Sequence, residues 1–168
     1  MTVDVRLGAP DDLPALTEIY NHYIRTSHAT FDLDELTVEA RRGWFDDHSV
    51  DDRHVLLVAD IDGSPAGYAT SSQFRVKAAY DSSVETTVYV APGKGGQGIG
   101  RALYDELIRR LVAVPTLHRA YAGVALPNPA STGLHLACGF ASIGTFTEAG
   151  YKLGRHVDVQ WFERSLDH

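Results

Sequence analysis

The chain has one cysteine, Cys138, among its 168 residues. That excludes an intramolecular disulfide and any cysteine-rich zinc site. Set in Leu136-Ala137-Cys138-Gly139-Phe140, it reads as a small core hydrophobe rather than a nucleophile. The histidines show no His-x-x-x-His or His-Glu pairing on a helix, so no metal is expected. Positive charge is also short: 15 Lys+Arg against 22 Asp+Glu give a net charge of -7, with no basic tail, and a nucleic-acid partner is not expected. No uninterrupted apolar stretch reaches the roughly 18 residues of a membrane span, and the start shows no charged-then-apolar leader. The expected partners therefore exclude a membrane, and the expected compartment is the cytoplasm.

What is present is a glycine-rich loop. Gly93-Lys94-Gly95-Gly96-Gln97-Gly98-Ile99-Gly100 follows the β-type run Val84 to Pro92 and opens the helix-type run that starts at Arg101. Strand, glycine loop and helix together make a phosphate cradle, because glycine lets several amide N–H groups converge on one anion at the positive end of a helix dipole. Gly93, Gly95 and Gly98 also satisfy G-x-G-x-x-G, but a dinucleotide site wants an acidic residue about 20 residues on. Between Leu107 and Thr147 there is no Asp or Glu, and no G-K-[ST] follows the glycines, so neither a dinucleotide fold nor a P-loop is indicated.

The rest of the chain alternates strand and helix patterns, with no repeat and no linker, as one domain over residues 1–168. Val3 to Leu7 reads as a first strand. Pro10-Asp11-Asp12 starts a helix carrying Leu13, Leu16, Tyr20, Tyr23 and Ile24, and Thr37 caps a second helix that includes Val38, Trp44 and Phe45. Val55 to Ala59 and Ala66 to Ser72 form a hairpin turned at Asp62-Gly63. Strand 84–90, the helix with Leu103, Leu107 and Leu111 on one face, strand 120–126, a short helix from Pro129 to Ala137, and strands near 140–146 and 157–162 complete the reading. The alternation Val157, Val159, Trp161 suits an interface or equally a core.

Val-x-Pro-x-x-x-Gly-x-Gly-x-Gly before a helix resembles the acetyl-coenzyme A loop of the GNAT superfamily of N-acetyltransferases. Val84 to Val90, Leu126-Pro127-Asn128-Pro129-Ala130-Ser131, Leu134-His135, Gly139-Phe140, Ala149-Gly150-Tyr151-Lys152, Tyr20-Asn21-His22-Tyr23-Ile24 and Thr30-Phe31 are similar to its phosphinothricin N-acetyltransferase branch. One departure is Gly95, where the superfamily usually has Arg or Gln. The resemblance implies an α/β (α+β) GNAT fold, a mixed, mostly antiparallel central sheet with helices on both faces. It also implies acetyl-CoA as co-substrate, a small-molecule amino-acid acceptor and a homodimer.

Site residues follow from the same comparison. Glu85 sits in a β-branched strand, where a carboxylate faces solvent or serves a site; the resemblance makes it the general base, acting through a water. Val88, Tyr89 and Val90 would offer backbone groups to the cofactor arm, and Gly95, Gly96, Gln97, Gly98, Ile99, Gly100 and Arg101 would hold the phosphates. Asn128 reads as a turn or cap residue and, by resemblance, as a cofactor ligand together with Ser131. His135 is either a satisfied core group or, in the place of a family tyrosine, the acid that protonates the leaving thiolate. Tyr104 is assigned to packing. Arg75, Lys77 and Tyr80 lie where the family grips an acidic substrate, with Phe31 as an apolar wall; solvated surface cations are the other reading of Arg75 and Lys77. The function implied is acetyl transfer to the α-amine of a small acidic amino acid, phosphinothricin or methionine sulfoximine or sulfone. The alternatives are another small amine or a protein N-terminus as acceptor, or a non-catalytic acyl-CoA sensor.

Overall fold

The computed structural model describes residues 2–48 and 52–167. In chain order its main elements are β1 (Asp4–Leu7), α1 (Leu13–Thr26), α2 (Arg42–Asp47), β2 (Leu56–Ile61), β3 (Ser64–Gln73), β4 (Ser83–Val90), α3 (Ile99–Val112), β5 (Arg119–Ala125), α4 (Pro129–Ala137), β6 (Ala141–Lys152) and β7 (Arg155–Ser165). The strands make one seven-stranded sheet in the order β1-β2-β3-β4-β5-β7-β6. Every neighbouring pair is antiparallel except β4 and β5, so the sheet is mixed and mostly antiparallel.

Local chemistry explains most element boundaries. Asp62 and Gly63 have φ of 52° and 78°, the two left-handed residues of a tight hairpin turn that joins β2 to β3. Leu153 and Gly154, with φ of 49° and 80°, close β6 onto β7 in the same way. On one side of the sheet α3 buries Ile99, Leu103, Leu107 and Leu111 against Leu57, Ala69, Val84, Ala120 and Phe162. On the other side Leu16 and Ile19 of α1 pack on Leu56, Val58 and Tyr68. Helices thus cover both faces, as the GNAT resemblance implies.

Three boundaries differ from the sequence reading. Thr37 does receive the Ala40 N–H on its hydroxyl at 3.1 Å, but helix α2 begins only at Arg42. Between them the Arg41 and Arg42 amides close tight turns onto Thr37, Val38 and Glu39 carbonyls. Arg41 is buried there with its guanidinium 3.8 Å from the Trp44 ring and 3.1 Å from Leu16 O. Strands β6 and β7 run well beyond 140–146 and 157–162, because the closing turn lies at Leu153-Gly154 and a register shift between Phe146 and Gly150 interrupts the alternation that would have revealed them. In the alternating set, Val157 is buried while Val159 and Trp161 are half-buried.

Candidate active site

Strands β4 and β5 pair only through Ser83–Arg119, Val84–Ala120 and Glu85–Tyr121, although β4 continues to Val90 and β5 to Ala125. Past the Glu85 rung the two strands part. The opening is a cavity of about 520 Å³ lined by Thr86 to Val90, Gly123 to Ala125, the glycine loop and one face of α4. The Ala91 amide turns back to Ala66 O on the β3 side at 2.8 Å, so the strand's two-residue alternation aims the N–H and C=O of Val88 and Val90 into the opening. The Val90 carbonyl already accepts the Tyr23 hydroxyl at 2.6 Å. Tyr89 differs from its neighbours: alternation turns its backbone toward β3, where it pairs with Tyr68, and its ring packs against Tyr20, Tyr23 and Tyr68.

The loop then fits an anion. Gly96 and Gly98 have φ of 74° and 79°, backbone that side chains resist, and a Cβ at Gly95, Gly96 or Gly98 would meet nothing within 4 Å, leaving open space above the amides. The first intrahelical bond of α3 runs from Ala102 N–H to Gly98 O, which leaves the preceding amides at the helix N-terminus without helical partners. Gly95, Gly96, Gly98, Ile99, Gly100 and Arg101 line the cavity, as do Asn128 and Ser131; Gln97 does not. Gly100 is glycine for another reason: a Cβ there would stand 3.0 Å from Leu134 Cδ2 on α4. Asn128 caps α4 by accepting the Ser131 N–H at 3.1 Å, so the cap reading holds and its side-chain amide N–H₂ stays available to a ligand.

Two groups at the cavity floor come from opposite ends of the motif set. His135 is 3% exposed. Its Nδ1 lies 2.7 Å from the Ser131 carbonyl and therefore donates, which makes Nε2 the acceptor for the Tyr104 hydroxyl at 2.9 Å. Burial pushes the imidazole pKa down, favouring the neutral form. Tyr104, assigned to packing from sequence, lines the cavity, and burial raises its pKa. Sequence could flag both residues but could not pair them across 31 positions.

The residues expected to hold the acceptor gather toward the α1 face. Glu85 is half-buried across from Ser72 of β3, on the last shared rung before the opening. Burial raises its pKa, and the nearby charge of Arg75 partly offsets the rise. Arg75 rests on the Phe74 ring at 4.2 Å and near Trp161 at 5.7 Å; Phe74 also meets Tyr121, Tyr80 and Trp161. Arg75 and Tyr80 are thus brought to one aromatic cluster. Lys77 is exposed, and its side chain makes no hydrogen bond or ion pair among the described residues. Phe31 is 41% exposed and rests on β6, where a Cβ at Gly150 would come within 2.5 Å of its ring. Its loop is tied down by Lys152, whose ammonium donates to Thr30 O at 2.7 Å, and by His28 bonded to Lys152 O at 3.1 Å. Glu85, Phe31, Arg75, Lys77 and Tyr80 do not line the 520 Å³ cavity itself. Among the described residues no group of three or more His, Cys, Asp or Glu could hold a metal ion, and no helix is long and apolar enough to cross a membrane.

A family profile described as "Acetyltransferase (GNAT) domain" matches residues 5–161. A phosphinothricin N-acetyltransferase of Streptomyces coelicolor is 52% identical over 166 residues, covering 98% of this chain and 96% of that protein. An L-methionine sulfoximine/L-methionine sulfone acetyltransferase of Pseudomonas aeruginosa is 31% identical, covering 99% of this chain and 96% of its own. Among solved structures, a GNAT superfamily phosphinothricin acetyltransferase from Sinorhizobium meliloti in complex with acetyl-CoA superposes with a TM-score of 0.94 at 32% identity, covering 99% of this chain and 90% of the other.

Proposed function

The chain belongs to the GNAT acetyltransferase family and is an acetyl-CoA-dependent N-acetyltransferase, and from that premise we propose that its acceptor is the α-amine of a small acidic amino acid or analogue, phosphinothricin or methionine sulfoximine or sulfone. The names of the relatives support this reading. The observation that carries it is the juxtaposition of Glu85 and Arg75 where β4 and β5 separate: a half-buried carboxylate to take a proton, beside a cation to hold an oxyanion. Residues 1–168 work as one domain.

Acetyl-CoA, when bound, supplies an acetyl thioester; the protein's own groups do the rest. Amides from Gly96 to Arg101 at the start of α3 hold the pyrophosphate. The amides of Val88 and Val90 bind the arm and polarise the carbonyl where negative charge develops, and the Asn128 side-chain N–H₂ and Ser131 add polar contacts. Glu85 withdraws the ammonium proton through a water, its raised pKa bringing it nearer the working range of a base. His135 already donates its Nδ1 proton to Ser131 and accepts at Nε2, so we assign it a positioning role. Tyr104 Oη, which donates to His135 Nε2 in the resting site, carries the labile proton at the cavity and passes it to the departing CoA thiolate, solvent replacing it. Arg75 is the principal anion ligand, with Lys77 and Tyr80 at the rim and Phe31 as wall.

The protein works as a homodimer, supported by the long exposed strand β6, where Ile143 and Phe146 are 50% and 58% accessible. Its net charge of -7 disfavours nucleic acid, and a lone unpaired thiol is in keeping with the cytoplasm. The test is acetyl-CoA turnover, followed by thiol release, across acidic amino acids, neutral amino acids, simple amines and an N-terminal peptide. Phosphinothricin or methionine sulfone should lead the panel in kcat/KM; preference for the peptide or for a simple amine would overturn the reading.

A further inference from the structure

The acceptor face contains a polar atom that the protein leaves unmatched. Trp161 stands on β7 directly across from Gly123 of β5 and Gly144 of β6, so its indole lies between two positions without side chains. Its Nε1–H is buried and has no hydrogen-bond partner, one of three such side-chain atoms among the described residues. The other two have local explanations. Asp60 Oδ1 belongs to a carboxylate whose second oxygen is held by Arg6 at 2.6 Å, and the Tyr68 hydroxyl belongs to the ring cluster that encloses the Arg41 guanidinium. A buried donor left unmatched is costly, and folded proteins rarely keep one without a use.

The direction of that donor can be read from its neighbour. A Cβ on Gly123 would lie 3.2 Å from Cζ2 and 3.4 Å from Cε2 of Trp161. Cη2 follows at 3.5 Å, so the six-membered ring of the indole packs on Gly123 along its Cζ2 side, with Nε1 one bond beyond Cε2; Gly123 is part of the cavity wall, and Trp161 stands directly behind it. Arg75 approaches the same indole, with its guanidinium 5.7 Å from the ring, and is the charge felt by Glu85. Proton acceptor, cation and free N–H donor therefore surround the point where β4 and β5 part.

We propose that Trp161 is a specificity-determining residue of the acceptor site, its Nε1–H donating to an oxyanion of the bound amino acid while Arg75 supplies the charge for the same anionic end. This rests on the acidic-amino-acid reading given above. An indole packed on Gly123 has few geometries to offer its N–H, so a ligand that lacks an oxyanion there leaves the donor buried and unmatched. Sites built around a buried donor discriminate strongly against ligands that cannot pair it.

Trp161→Phe keeps an aromatic ring but removes the N–H together with one ring of the indole. Its KM for phosphinothricin should rise about tenfold, equivalent to about 1.4 kcal/mol, with kcat within twofold and the acetyl-CoA KM unaltered. The second measurement needs no turnover. The chain has two tryptophans, so Trp44→Phe leaves Trp161 as the sole indole, and its emission should shift saturably as phosphinothricin is added to the CoA-bound protein. A wild type that acetylates no acidic amino acid would overturn the acceptor reading before any variant is made. A wild type that does so, with an unmoved KM in Trp161→Phe or an unmoved emission in Trp44→Phe, would overturn the role of Trp161 alone.

Discussion

Glu85→Gln removes the carboxylate at the β4–β5 parting while preserving side-chain shape and strand register. A positioned general base contributes roughly 10²–10⁴-fold, so kcat/KM near neutral pH should fall by at least about 10²-fold, equivalent to ~2.7 kcal/mol of barrier. The pH profile ties that loss to the structure. Burial raises the Glu85 pKa and the Arg75 charge restrains it. The ionised carboxylate is the working form, so wild-type activity is complete above the raised pKa and is lost as pH falls through it, at higher pH than an exposed glutamate would dictate. In the Gln variant that acidic limb disappears, the substrate amine alone sets the remaining dependence, and the deficit narrows as pH rises. Arg75→Ala leaves burial unopposed, and its acidic limb should move to higher pH. The assay is initial-rate thiol release from about pH 5.5 to about pH 9.5 at subsaturating acceptor, with acetyl-CoA affinity followed by calorimetry. A Gln variant that keeps the wild-type rate at neutral pH, or an acidic limb that survives the substitution, would refute the assignment of Glu85.

Gly100→Val would drive a side chain into Leu134, already 3.0 Å from a Cβ at that position. The expected cost is about 1–3 kcal/mol, or roughly 2–12 °C in melting temperature for a chain of this size, together with weaker acetyl-CoA binding; an unchanged melt would show that α3 and α4 do not meet there. Tyr104→Phe strips the buried His135 Nε2 of its donor and should cost about 1–3 kcal/mol of stability by denaturant unfolding. In the same variant kcat should fall with acceptor KM unmoved, and a fully active, equally stable enzyme would sink the proposed proton-holding role. Arg75→Ala should raise the phosphinothricin KM about tenfold or more, and Lys77→Ala should raise it less, since Lys77 is exposed. If the kcat/KM ratio of phosphinothricin to a neutral amino acid stays constant in Arg75→Ala, the anionic end of the acceptor binds elsewhere.

What was legible in the sequence was local. Strand, glycine loop and helix fall within residues 84–112, and the turn of the loop is set by positive φ at Gly93, Gly96 and Gly98, all inside that stretch. Glu85 stands out for the same reason, being a carboxylate in a β-branched run next to that loop. The pairing of Tyr104 with His135 was not readable, because it depends on how α3 and α4 dock. Nor was the backbone direction of Tyr89, which follows from the register of β3 on β4. Trp161 shows the limit most clearly. Its place in an apolar alternation suggested interface or core equally, and its unpaired N–H emerges only once Gly123 and Gly144 lie on either side of it.

The ties between Lys152 and residues 28–30 join positions 122 and 124 apart in the chain, and they have a consequence for how the molecule comes together. The cofactor cradle uses a continuous middle stretch, whereas the wall that carries Phe31 exists only when the first helix region meets the last hairpin. Closing so long a loop is a late, entropically costly event. In the mature protein the same seam is where partial opening should begin, so amide exchange at residues 27–32 and 148–156 should run faster than exchange within β4 and α3. Acetyl-CoA should slow exchange mainly in the middle stretch, and the acceptor mainly at the seam.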